Sequence, residues 1–102
     1  MTKKAESAWM DDVSRLGCIV CRNTGRGETP AMVHHIQDGS TGIAQRASNY
    51  ETIPLCFYHH QDGPFGEAVH NGTKTFEKNY GTQRELLEQT RREVEELRAL
   101  MV

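Results

Sequence analysis

Two short pairs set the terms for anything this chain can fold into: two residues separate Cys18 from Cys21, and two separate Cys56 from His59. A gap of that length lets one tight backbone turn aim both members of a pair at a single ion, and a structural zinc requires four nitrogen or sulfur ligands in a tetrahedron. Cys18, Cys21, Cys56 and His59 supply that count, so the spacing predicts a zinc that ties together segments far apart in the chain. The competing reading, three buried free thiols beside unrelated histidines, does not explain so regular a frame. A disulfide framework fits poorly, because three cysteines leave one over and no apolar signal segment opens the sequence. The expected setting is therefore the reducing cytoplasm.

Nested in the frame are two His-His dipeptides, His34-His35 and His59-His60. If the segment after Cys56 starts a helix, successive side chains diverge by about 100°, which sends His59 to the zinc and His60 to a separate pocket. Neighbours on a strand point to opposite faces, so one member of the His34-His35 pair can bind a metal while the other addresses a substrate. The sequence thus holds ligands for one closed zinc site and leaves histidines for a second ion and a base.

At 102 residues the chain supports one domain, residues 1–102, with a core of modest size. Zinc would supply the missing stability, as it does in many small metal domains. Hydrophobic residues make up 36% of the sequence and no stretch is long and apolar enough to span a bilayer, which excludes membrane insertion through a helix. Twelve Lys plus Arg stand against 14 Asp plus Glu, a net charge of −2, and neither the part up to Gly81 nor the tail beyond it is basic. A nucleic-acid binder usually shows the opposite balance, so any grip on DNA is expected to be weak without a partner.

The apolar residues Ala5, Ala8, Trp9, Val13 and Leu16 fall at helical spacing over Lys4 to Leu16, with Gly17 as the stop. Cys18 to Cys21 forms a knuckle, and Asn23 to Pro30 is a connection broken by Gly25, Gly27 and Pro30. Ala31 to Ile36 reads as a strand, Gln37 to Tyr50 as a long loop, Thr52 to Leu55 as the returning strand, and a helix is expected to begin near Cys56. The loop from Asp38 to Arg46 is polar and carries two glycines, so its backbone can approach a phosphate closely; Arg46 is its candidate phosphate grip. Gln61 to Gly66 breaks regular structure before Glu67 to His70, and His70 is a candidate third ligand for the second ion. Thr82 and Glu85 make a capping box, opening a helix that meets no Gly or Pro through Val102. Its stripe of Leu87, Val94, Leu97 and Met101, widened by Leu86 and Leu100, is expected to pack on its own domain, making a monomer the favoured state over a dimer.

The run Val33-His34-His35-Ile36, followed by Ile53-Pro54-Leu55-Cys56-Phe57-Tyr58-His59-His60, resembles the HNH, or ββα-metal, endonuclease superfamily. The match widens over most of the chain to the phage Ref proteins, which share the Cys-x2-Cys pair, the HHI run, a Gly-rich loop, the IPLC-x2-HHQDG run, a further His and FEKNYG. The resemblance implies an α+β fold: a small zinc-bound treble-clef (ββα-metal, HNH) core over residues 18–81, with an N-terminal helix in 1–17 and a C-terminal helix in 82–102. It also implies a hydrolase of phage or bacterial origin that cuts DNA where a RecA-type recombinase has paired a strand. By the same correspondence His34 and His60 would be metal ligands, with His70 a possible third, and His35 the general base. Imidazole ligands leave the catalytic ion open among Mg²⁺, Mn²⁺, Ni²⁺ and Zn²⁺.

Two features depart from the family pattern. Many HNH proteins carry an Asn five positions before the Cys of the LPLC-like run, where it orients the base; here Glu51 holds that position and Asn49 lies two residues earlier, which makes Asn49 the candidate for the role. Ref proteins also carry a basic N-terminal extension, whereas this sequence starts almost directly at the first expected helix. A non-catalytic zinc module that binds DNA or a protein partner is the alternative to a nuclease, and an RNA nuclease of the same fold is a third reading. His35 discriminates, since a pure binding module has no reason to set it beside a metal-ligand histidine.

Overall fold

A computed structural model describes residues 2–39 and 47–101. The elements run α1 (Lys3–Arg15), α2 (Ile19–Asn23), β1 (Met32–His35), β2 (Thr52–Leu55), a π-helical turn (Tyr58–Asp62), α3 (Thr73–Tyr80) and α4 (Gln83–Leu100), a small α+β arrangement. Thr2 caps α1 by accepting the Ala5 N–H at 3.0 Å, and Thr82 with Glu85 completes the capping box that its sequence spacing predicts for α4.

The two strands pair antiparallel, with Met32 opposite Leu55, Val33 opposite Pro54, His34 opposite Ile53 and His35 opposite Thr52. Every residue of β2 is buried, because α1 and α4 both pack against it. The larger core cluster joins the sheet to α2, α3 and α4 through Ile19, Ile53, Leu55, Phe76 and Leu87, all fully buried. A smaller one, Trp9, Val13 and Val94, forms where α1 meets α4. Each large apolar side chain taken wholly out of water contributes about 1.5–3 kcal/mol before entropy is counted.

Polar ties hold these helices in register. The Trp9 indole donates to Thr52 Oγ1 at 3.1 Å, and that hydroxyl donates to the Asn49 carbonyl at 3.1 Å. Arg98 on α4 pairs with buried Asp12 on α1 at 2.8 Å, and Arg22 on α2 grips Glu93 on α4 through two bonds of 2.8 and 3.1 Å. A bidentate guanidinium–carboxylate pair fixes orientation as well as distance.

Three expectations need correction. The segment after Cys56 forms a five-residue π-helical turn, not the start of a longer helix: the Gly63 N–H reaches back five residues to the Tyr58 carbonyl at 2.9 Å. Only glycine permits that closure, since a Cβ on residue 63 would stand 2.8 Å from the same carbonyl oxygen. Next, α2 forms where only a knuckle was expected, and α3 where no helix was expected. Gly72, with φ of +88°, opens α3 and admits the Phe65 ring where any side chain would collide with it. The apolar stripe of α4 is also split. Leu86, Leu87 and Val94 are buried, whereas Leu100 and Met101 are 85% and 57% exposed.

Candidate metal centres

Cys18 precedes α2 and Cys21 lies within it, while Cys56 follows β2 and His59 sits in the π-helical turn. Their ligand atoms converge in one buried cluster. Cys21 Sγ is 3.8 Å from Cys56 Sγ, and His59 Nδ1 is 3.6, 3.5 and 3.3 Å from the sulfurs of Cys18, Cys21 and Cys56. Zinc bonds of about 2.3 Å to sulfur and about 2.0–2.1 Å to nitrogen, arranged tetrahedrally, imply edges of about 3.8 Å between sulfurs and about 3.5 Å between sulfur and nitrogen. These four distances lie close to those edges, and the cluster could hold a metal such as zinc.

The chemistry of the donors agrees. Burial pushes the Cys18 thiol up to about 12, and the neighbouring Cys56 and Cys21 sulfurs add to the cost of charging it. A thiol so costly to ionise gives up its proton here only on binding a cation, so loading the site is coupled to proton release from Cys18. His59 is held below the ordinary histidine range, first by burial and then by the Arg26 guanidinium, whose Nη1 lies 3.3 Å from His59 Nε2. A neutral imidazole is the form that ligates.

The π-helical turn separates His59 from His60: His59 is buried among the cysteines, while His60 faces a second group. His70 is brought to that group by backbone pairing, since the Val69 and His70 N–H groups donate to the His59 and His60 carbonyls at 2.8 and 3.1 Å. His34, His60 and His70 form the second cluster, with ring centroids 4.6 to 5.1 Å apart. The Nε2 atoms of His60 and His70 are 3.1 Å apart. Two nitrogens about 2.1 Å from one ion would be about 3.0 Å apart at a right angle and about 3.4 Å apart in a tetrahedron, so a shared cation fits. Burial lowers His34 to about 4, with the nearby His60 and His70 adding to the shift. His60 is lowered by burial and by His70. Its Nδ1 is buried without a partner among the described residues.

His35 stands beside this cluster. Its Nε2 lies 2.8 Å from Asn49 Oδ1, and Asn49 Nδ2 donates to Glu6 on α1 at 3.4 Å. With its amide nitrogen on a carboxylate, Asn49 offers oxygen to the ring, so His35 carries its proton on Nε2 and leaves Nδ1 with a lone pair. Glu51, the residue in the position where an Asn was expected, instead pairs with Arg84 at 2.9 Å. The strand turns His34 and His35 to different partners, Gln83 and Asn49. Both nevertheless line one cavity of about 220 Å³, together with Val33, Gln37, His60 and His70. Two larger cavities, of about 290 and 300 Å³, lie by Arg15 and Leu16 at the end of α1 and are lined by no histidine or cysteine. Arg46 lies outside the described residues.

Sequence reasoning missed Gln83 and Glu6. Glu6 reads as ordinary helix surface, and Gln83 as an ordinary first-turn residue; only the folded arrangement gives them partners.

No described helix is long and apolar enough to cross a membrane. A family model described as recombination enhancement, RecA-dependent nuclease, matches residues 3–95. No curated protein matches the chain.

Proposed function

The chain belongs to the recombination enhancement, RecA-dependent nuclease family, and from that premise we propose that it is a metal-dependent DNA endonuclease of the HNH, or ββα-metal, type. The observation that carries this reading is the shared cavity: His35, oriented by Asn49, opens on the space lined by His34, His60 and His70. The Cys18, Cys21, Cys56 and His59 cluster would hold a structural zinc in a treble-clef-like core, and the three histidines would hold the catalytic ion. A divalent cation there would supply charge to the scissile phosphate and the departing 3′ oxygen.

The chain's own residues perform the rest. His35 Nδ1, with its lone pair directed away from Asn49, accepts a proton from the attacking water. Asn49 keeps the ring from rotating and fixes the tautomer, and Glu6 fixes Asn49. His34 stays neutral at physiological pH because it is buried, so it does not repel a cation. A net charge of −2 provides little counterion-release affinity for DNA, which supports a filament of RecA-type recombinase as the agent that presents the substrate.

Nicking of supercoiled plasmid across Mg²⁺, Mn²⁺, Ni²⁺ and Zn²⁺, with end-group analysis of the product, tests the chemistry. Metal-dependent nicks bearing a 3′ hydroxyl are expected. No cutting with any ion, with or without filament, would favour a non-catalytic zinc module.

A further inference from the structure

Gln83 is the first residue of α4 and is fully buried. Its carboxamide meets both backbone polar groups of one residue: the Gln37 N–H donates to Gln83 Oε1 at 2.9 Å, and Gln83 Nε2 donates to the Gln37 carbonyl at 2.9 Å. A backbone N–H can only donate and a carbonyl can only accept. Flipping the amide would set donor against donor and acceptor against acceptor, so its orientation is fixed by Gln37 alone.

The same Oε1 lies 2.9 Å from His34 Nε2. An oxygen that only accepts demands a proton on that nitrogen, and a neutral imidazole protonated on Nε2 keeps its lone pair on Nδ1. We propose that Gln83 is a positioning residue that holds His34 in the Nε2–H tautomer and leaves Nδ1 as its ligating nitrogen toward the cavity shared with His60 and His70. The proposal rests on reading His34 as a metal ligand. Partners that fix the tautomer and angle of a ligating histidine commonly tune the site as strongly as the ligands do.

The α3–α4 junction is built to hold Gln83 in place. Its backbone N–H is among those a helix start leaves unpaired, and Glu77 at the end of α3 accepts it at 2.8 Å. One residue earlier, Thr82 and Glu85 close the capping box. The side chain therefore reaches His34 from a fixed backbone, as a precise second support requires.

The test is Mn²⁺ titration of the zinc-loaded protein, comparing wild type with His34→Ala, Gln83→Met and Gln83→Glu, with zinc content and circular dichroism as controls. Gln83→Met keeps the volume and loses the acceptor, and should weaken Mn²⁺ binding by about 10–100-fold with zinc retained. Gln83→Glu, in its protonated form, can reproduce all three of the side chain's hydrogen bonds and should recover affinity to within a few-fold of wild type. Unchanged affinity in Gln83→Met, with His34→Ala weakened, would overturn the positioning role and spare the ligand reading. Unchanged affinity in His34→Ala would overturn the ligand reading itself. Long-range ¹H–¹⁵N correlation on the wild-type protein needs no variant to fold: a proton on His34 Nε2 is expected, and one on Nδ1 would refute the tautomer selection.

Discussion

Replacing Cys56 by alanine should unfold the chain, not merely loosen it. Its sulfur stands 3.3 Å from His59 Nδ1 and 3.8 Å from Cys21 Sγ, so the change removes one corner of the tetrahedron and opens the site to water. A closed zinc site of this type is worth about 10–16 kcal/mol in apparent folding free energy, while a domain of this size has only about 5–15 kcal/mol to lose. Losing even half of the zinc contribution, about 5–8 kcal/mol, erases most of that margin. The metal-free cluster offers no substitute: with Cys18 raised to about 12, its thiol stays neutral and contributes only a weak donor. Elemental analysis should find about one zinc per wild-type chain after brief EDTA treatment and none in Cys56→Ala. Thermal melts followed by circular dichroism should show a cooperative transition in the wild type and none in the variant. At this size about 1 kcal/mol moves Tm by about 4–8 °C, so a Cys56→Ala protein that melts cooperatively within about 5 °C of wild type would refute the structural-zinc argument.

His35→Ala should lose about 10²–10⁴-fold in cleavage rate while keeping zinc and fold, and a single-turnover assay on supercoiled plasmid measures it. Asn49→Leu should cost less, about 10–100-fold by analogy with other groups that orient a histidine, and wild-type rates would leave the Asn49–His35 contact without function. Because burial lowers His34 from the ordinary 6.5 to about 4, the unfolded chain takes up a proton there first. Its contribution to stability is present above pH 6.5 and is lost as pH falls toward 4, a change on the order of 3 kcal/mol. Urea unfolding from pH 7 to 4.5 should show a shallower decline in His34→Gln than in wild type, and parallel declines would contradict the burial argument.

The convergence of Cys18, Cys21, Cys56 and His59 was legible in the sequence because their spacing carries geometry. Cys-x2-Cys and Cys-x2-His prescribe tight turns, and the four side chains meet at ligand distances. The separation of His59 from His60 was also readable, although a π-helical turn, not an α-helix, carries it. What could not be read are contacts made by partners far apart in the chain. Gln83 touches His34 only because α3 and α4 set the start of α4 beside β1. Glu6 touches Asn49 only because α1 crosses the end of β2. The α3 segment Thr73–Tyr80 has few strong helix formers and begins at a left-handed glycine, so local preference gave no signal there. Asn49 sits two residues from the expected position, and in the fold it is Asn49 that meets His35 while Glu51 pairs with Arg84.

Linearisation of a plasmid paired with a targeting oligonucleotide tests the central claim most directly, with recombinase filament present or omitted, with Mg²⁺ or EDTA, and with wild type or His35→Ala. Cutting at the paired site by the wild-type protein alone, only with filament and Mg²⁺, is the predicted result. Cutting by His35→Ala at the wild-type rate, or cutting that persists in EDTA, would contradict an account in which His35 draws the proton beside a histidine-held metal.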